Sequence, residues 1–447
     1  MKFIFNNPLF LGKRKAFVSE YGDFFFQNKK ALDIKKAEKN NFITDKLDLD
    51  KIIKSIFLRY NLGWKGPHTH IISLTRKCFG KCSYCAVSCK PSGKDMSWNT
   101  ARKTIDFIFS IPREEFFIEF TGGEPVLNFK VLKKSILYAK EKAKRLNKKV
   151  YISVVTSLAY ENKDLINFFI KENITVCSSL DGPKGIHDKN RFSQNNKSAF
   201  DLTVKNIIEI SAAAKKGLCE YPNLISTITK DSLGKEREIA DSYLKLGVKR
   251  IQLGMLEPLG RAYSSKLYIS AKEYFDFYKK AVKHILKLNE KYSVYEKGLF
   301  LIVYDILKGS ANPKRSLDIF HRLAYDFEGN IYPSDEARIL GENGDTSLAV
   351  GNIYKDSLNS VLKKPETRFF LSYNLNNYLS PFCARCPYSL WCRVPIYYNY
   401  FVQNSIWGNM VNSERCEIMK SIFNFAFYLL SNKKTEKILK KWVEEYV

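Results

Sequence analysis

The feature that most constrains the fold of this chain is an alternation that begins near residue 69. Short runs rich in β-branched and aromatic residues, at 70–75, 116–120, 149–155, 175–180, 224–229 and 249–255, take turns with amphipathic segments at 98–110, 129–146, 163–172, 200–216 and 235–246. Each gap is long enough for a helical crossover, so the runs read as strands of parallel βα units. Six strands are too few to close an eight-stranded barrel. The expected architecture is therefore α/β, a partial (β/α)6 TIM-like barrel over 66–265. Chemistry in such barrels gathers at the C-terminal ends of the strands. Candidate residues fall there: Cys78 follows the first strand, Gly122 the second, Thr156 the third and Asp181 the fourth.

Residues 1–65 read as a small N-terminal α+β unit, with a hairpin of 14–18 and 23–27 about a turn at 20–22 and helical periodicity over 50–60. A helical linker over 266–315 carries a long helix at 271–291. The stretch 316–420 is irregular, aromatic-rich and cysteine-bearing, and 421–447 reads as a charged helical tail. No apolar run approaches the roughly 20 residues that span a bilayer, and the opening segment lacks a signal peptide's long apolar region and cleavage site. A cytoplasmic chain with no membrane partner is expected, and its thiols stay reduced. The ten cysteines then matter by position: they cluster at 78–89 and 383–416, with only Cys177 and Cys219 apart. Clustering in a reducing compartment argues for metal ligation over disulfides. The net charge of +27, from 73 basic and 46 acidic side chains, admits a nucleic-acid or acidic peptide partner. The lysines are scattered, however, and no interleaved basic–aromatic RNA motif is present, so a nucleic-acid partner is not expected.

Cys78, Cys82 and Cys85 stand in C-x3-C-x2-C spacing on the loop after the first strand. Three thiolates on one short loop can hold three irons of a [4Fe–4S] cluster and leave the fourth open for a cofactor's amine and carboxylate. A structural zinc site would want a fourth ligand, for which Cys89 is available. With the aromatic Tyr84 before the last cysteine, this loop resembles that of the radical S-adenosylmethionine (SAM) superfamily. Thr121-Gly-Gly-Glu-Pro125 resembles that family's GGEP motif, implying that Gly122, Gly123 and Glu124 receive the ammonium of the SAM methionine. Ser179-Leu-Asp181-Gly182 and His187-Asp188-Lys189-Asn190-Arg191 resemble its SxDG and HDxxR segments. That resemblance implies that Ser179, Asp181 and Arg191 hold the ribose and the methionine carboxylate. Ser157 takes the place of the usual ribose-side residue, although Thr156-Ser157 departs from the commoner Thr-Asn. The segment from Met255 to Ala262 resembles the one that packs on adenine.

Cys383, Cys386, Cys392 and Cys416 resemble the ligand set of the second auxiliary cluster in SPASM domains of peptide-modifying radical SAM enzymes. One auxiliary [4Fe–4S] cluster serving as an electron relay is implied, in a C-terminal SPASM-like Fe–S domain; a zinc knuckle suits four thiolates equally. Ile396 and Ser334 stand where that family expects further cysteines, so the first auxiliary cluster is not expected. Asp335 matches the position of an active-site base in sulfatase-maturing relatives. The segment 332–338, with Asp95–Trp98 and the hairpin at 20–26, resembles the maturases of His-Xaa-Ser and darobactin-type peptide systems. The resemblance implies a ribosomal precursor peptide as substrate, a flavodoxin or ferredoxin as electron donor, and crosslinking of side chains. Formylglycine formation in sulfatases, or a basic RNA-binding protein with an Fe–S or zinc centre, are the alternatives.

Overall fold

The computed structural model describes residues 8–19, 22–28, 32–50, 53, 65–87, 89, 92–191, 198–262, 265–308, 321–373, 380–392 and 395–445. The chain divides into two compact units, one formed by Lys65–Ile269 with Leu317–Ser372, the other by Met1–Trp64, Ser270–Ser316 and Tyr373–Val447.

The first unit is built on one nine-stranded sheet. Its strands in chain order are β1 (Thr69–Ser73), β2 (Glu115–Thr121), β3 (Lys149–Val155), β4 (Thr175–Ser179), β5 (Asn223–Ile228), β6 (Leu253–Met255), β7 (Arg322–Tyr325), β8 (Asn330–Tyr332) and β9 (Gly351–Asn352). Spatially they run β6-β5-β4-β3-β2-β1-β7-β8-β9. All pairings from β6 to β7 are parallel, and β8 and β9 are antiparallel additions. A parallel neighbour needs a long crossover. Helices Trp98–Phe109, Phe129–Arg145, Lys163–Lys171, Ala199–Lys215 and Glu236–Lys245 fill that role at the expected positions. Three of them start on a side-chain cap: Ser97, Asn162 and Ser198 each accept an N–H from the first turn. The core lies along the sheet, where Phe116, Ile118 and Phe120 of β2 are fully buried at alternate positions.

The six expected strands form a parallel array, which β7 extends to seven, with two departures from the expectation. Of the expected sixth strand at 249–255, only Leu253–Met255 joins this sheet. The stretch expected to be irregular from 316 supplies β7, β8 and β9. Strand β7 lies against β1, where the Tyr325 hydroxyl meets Nδ1 of the buried His70 at 2.9 Å. The β7–β8 turn is stapled by Asp326, whose Oδ1 accepts the N–H groups of Glu328 and Asn330, both at 2.9 Å. Strands β6 and β9 end the strand order and do not pair with each other among the described residues.

In the second unit, Leu9–Leu11, Arg14–Val18 and Phe24–Asn28 form a three-stranded antiparallel sheet, with helix Ile34–Lys39 beside it. Phe17, Phe25, Ala37, Phe42 and Ile43 make its core. The hairpin is not free-standing: Phe24 meets Phe427 of helix Glu414–Leu430 edge-on at 5.5 Å, and Arg14 donates to the Ser431 carbonyl. The helix expected over 50–60 lies almost wholly outside the described residues. Helices Ala271–Leu288 and Lys433–Glu445 stand where helical segments are expected. Among the described residues no helix is long and apolar enough to cross a membrane.

Candidate functional site

A cavity of about 320 Å³ opens at the C-terminal ends of the parallel strands. Cys78, Cys82 and Cys85 line it together, on the loop after β1. That loop is braced from two sides. The Ser83 N–H and hydroxyl both donate to the Asn190 carbonyl, at 3.0 and 3.1 Å. Asp95 accepts from Thr75 Oγ1 and Lys77 Nζ, both at 2.5 Å. The 95–98 segment thus anchors the cysteine loop. Burial, then the Glu124 charge, pushes the Cys78 thiol up to about 12, and burial raises Cys82. Cys85 is drawn down to about 5 by a hydrogen bond from Cys89, whose own thiol is pushed up by the same contact. Among the described residues no three His, Cys, Asp or Glu side chains converge on a point that would hold one metal ion. The three thiols surround a space instead, and a multi-iron cluster fits that donor set and that volume.

The motif 121–125 forms the next wall. Its glycines are demanded by backbone packing: a Cβ on Gly122 (φ +139°) would lie 2.3 Å from the Thr75 carbonyl oxygen, and one on Gly123 would lie 2.2 Å from that of Lys77. The close approach lets Gly123 and Glu124 donate their N–H groups to those same carbonyls, at 2.7 and 2.8 Å. The two loops are therefore locked together, and the space is not reserved for a ligand. Gly123→Ala is expected to cost about 1–3 kcal/mol, since only backbone can yield. Thermal melting checks this, and an unchanged midpoint would contradict it.

Glu124 is 1% exposed and lines the cavity. Its Oε2 accepts from the Ser157 N–H at 2.9 Å and hydroxyl at 2.7 Å, whereas Oε1 is buried with no hydrogen-bond partner. Burial raises its pKa. An unpartnered buried carboxylate oxygen costs free energy unless a cation or donor reaches it, so this one fits a ligand ammonium.

Ser179, His187 and Arg191 also reach the wall, and Asp181 sits behind it. Asp181 is wholly buried, and its Oδ2 accepts from Tyr84 Oη and from Arg191 Nε at 3.2 Å. Its Oδ1 accepts the Thr227 N–H at 3.1 Å. The Arg191 guanidinium lies over the Tyr84 ring at 5.2 Å. Asp181 thus orients Arg191 and Tyr84, and its own oxygens are occupied. His187 is held down to about 4 by burial and takes the Asp181 N–H on Nδ1, which requires the neutral ring. Met255, Leu256 and Glu257 close the far side.

In the other unit, Cys383, Cys386, Cys392 and Cys416 line one small cavity of about 20 Å³ with Tyr388 and Lys420. Burial raises Cys383 and Cys386 and takes Cys392 to about 12. The four-thiolate donor set suits an iron–sulfur cluster or zinc. In the first unit, Asp335 begins helix Asp335–Glu342, capped by Ser334, and its Oδ1 accepts from Arg338 Nε at 2.8 Å. Two residues that carry structure here escaped the reading of the sequence. Thr203 and Asn206 sit on the buried face of Ala199–Lys215 and grip the loop after β3. Their signal was a pair of polar residues spaced by one helical turn on an otherwise apolar face.

No protein-family profile matches the chain. An uncharacterized protein of Methanocaldococcus jannaschii is 28% identical over 189 residues, which is 42% of this chain and 62% of that one. A cysteine-type anaerobic sulfatase-maturating enzyme of Clostridium novyi is 24% identical over 337 residues, 71% of this chain and 84% of that one. The radical SAM cyclopropyl synthase TigE of Paramaledivibacter caminithermalis is 23% identical over 150 residues, 30% of each chain. Among solved structures, anSMEcpe with bound AdoMet and Cp18Cys peptide superposes with a TM-score of 0.68 at 19% identity, covering 83% of this chain and 99% of that one. Streptococcus suis SuiB bound to its precursor peptide SuiA gives 0.58 at 14% identity, covering 88% and 84%. The chain has the fold of these proteins; among its relatives by sequence are a radical SAM cyclopropyl synthase and a sulfatase-maturating enzyme, and the structures that share its fold hold AdoMet or a peptide.

Proposed function

We propose that this chain is a radical SAM enzyme that modifies a ribosomally made precursor peptide. The observation that carries the reading is the meeting of Cys78, Cys82 and Cys85 with the unpartnered Glu124 oxygen around one cavity at the strand ends. In this reading the three thiolates hold a [4Fe–4S] cluster, which when bound supplies the electron that cleaves SAM to a hydrogen-abstracting 5′-deoxyadenosyl radical. Glu124 Oε1 receives the methionine ammonium, with Gly122 and Gly123 holding it to the cysteine loop. Arg191, kept at the wall by Asp181 and Tyr84, takes the carboxylate. Ser179 faces the ribose, while Met255 and Leu256 cover the adenine and exclude water. Asp335, anchored by Arg338, is the candidate to take a substrate proton.

The peptide class rests on structural neighbours that hold bound peptides and on the 332–338 segment. Darobactin-like Trp–Trp ether and Trp–Lys carbon–carbon bonds are the finer proposal, with a flavodoxin or ferredoxin as reductant and the cytoplasm as location. The N-terminal hairpin would dock the precursor's leader by adding a strand. Cys383, Cys386, Cys392 and Cys416 are the proposed ligands of one auxiliary [4Fe–4S] cluster in a SPASM-like domain, with a zinc knuckle as the alternative; metal analysis separates the two.

Co-expression with a short aromatic-rich peptide encoded beside the gene tests the function. The expected product is lighter by a pair of hydrogens per carbon–carbon crosslink and resists fragmentation between the joined residues. The clostridial relative favours a second reading, formylglycine formation, which would instead leave an aldehyde that hydrazine traps. Unmodified peptide from cells that hold soluble, iron-loaded enzyme contradicts the crosslinking reading and leaves formylglycine formation in a sulfatase.

A further inference from the structure

The loop after β3 carries more structure than a single ribose contact needs. Ser157 places two donors on one oxygen, its N–H and its hydroxyl on Glu124 Oε2. The hydroxyl oxygen in turn accepts the Ala159 N–H at 3.2 Å. Its only proton is therefore committed to Glu124, and it has none to give a ribose. The next residue, Leu158, is fully buried with φ +56°, a left-handed conformation that a branched side chain adopts only when its surroundings enforce it. Helix Ala199–Lys215 does the enforcing. Thr203 Oγ1 donates to the Ser157 carbonyl at 2.9 Å, and Asn206 Nδ2 donates to those of Leu158 and Tyr160, both at 2.8 Å. Three successive bonds from two buried side chains hold one five-residue turn. The end of this chain of contacts is a glutamate with one oxygen saturated and the other bare and buried on the cavity wall.

We propose that loop 156–160, gripped by Thr203 and Asn206, is a clamp that aims Glu124 at the amino-acid end of SAM. Ser157 and Asn206 are then positioning residues for the ammonium, and Ser157 is not a ribose contact. The inference rests on the SAM reading above.

Two probes distinguish the possibilities: SAM, and 5′-methylthioadenosine, which has the same adenine and ribose but no amino-acid arm. Binding is measured on the cluster-reconstituted full chain. Ser157→Ala is expected to weaken SAM about tenfold and leave methylthioadenosine within about twofold. Ser157→Thr, which keeps the hydroxyl, should restore SAM binding, and Asn206→Ala should weaken SAM selectively by a smaller factor. Melting curves accompany each variant; should Ser157→Ala not fold, the near-isosteric Thr203→Val carries the same comparison. Equal losses for the two probes would return Ser157 to the ribose and overturn the clamp, as would unchanged SAM binding. A wild type that binds methylthioadenosine but not SAM also overturns it. If the wild type binds neither, the SAM reading itself fails and the clamp falls with it.

Discussion

Changing Cys78, Cys82 and Cys85 together to Ala is expected to bring 5′-deoxyadenosine formation down to the enzyme-free background. The same variant should carry about four fewer irons per chain than the anaerobically reconstituted wild type. The three residues share one loop and one cavity, and nothing else lining that cavity can replace three thiolates, since Cys89 is a single thiol. The loss should be local. The loop keeps its braces to Asn190 and Asp95 in the variant, so the melting point of the metal-free protein should move little. Metal remaining in the variant reports the second cysteine set: iron with sulfide would mean a cluster, zinc alone a knuckle. Continued 5′-deoxyadenosine production by the triple variant would refute the assignment.

The largest stability effect is expected at Arg338. Its side chain is 1% exposed and joins two carboxylates, with Nη1 donating to Glu342 Oε1 at 2.5 Å and Nη2 lying 2.8 Å from Asp335 Oδ1. The Glu342 side chain is fully buried, and its Oε2 has no hydrogen-bond partner. Arg338→Met would leave that carboxylate unpaired in the interior, at a cost of about 3–5 kcal/mol or on the order of 10 °C in Tm. Arg338→Lys should recover only part, because an ammonium cannot span both partners as the guanidinium fork does. Arg338→Met paired with Glu342→Leu should recover more, since the buried charge is gone. Urea or thermal unfolding of the metal-free chain reads all three. A loss below about 1 kcal/mol for Arg338→Met would show that Glu342 finds another partner.

Much of the fold was legible because β2, β3 and β4 with their crossover helices repeat a strong local pattern, strand period and then helix period. Strands β7, β8 and β9 were not, for they are only four, three and two residues long and exist by pairing with β1 and one another. The hairpin between β7 and β8 had a turn signal in Asp326-Phe-Glu-Gly329, but the runs on either side are too short to show a strand period. At the site, motif spacing placed Cys78, Cys82, Cys85, Glu124, Ser179 and Arg191 around one cavity. It did not show what each side chain does there. Asp181 turns inward to hold Arg191 and Tyr84, Ser157 turns to Glu124, and Gly123 faces the Lys77 carbonyl. Such roles depend on contacts between segments far apart in the chain. A motif shows which residues are present, and only the packing shows which way they point.

The most direct test of the central claim is the fate of SAM itself. Wild-type protein, reconstituted without oxygen and reduced with dithionite, is mixed with SAM, and 5′-deoxyadenosine is quantified by mass spectrometry. The account predicts 5′-deoxyadenosine that requires both reductant and the iron-loaded cluster. An iron-loaded, folded protein that leaves SAM intact under those conditions would contradict it.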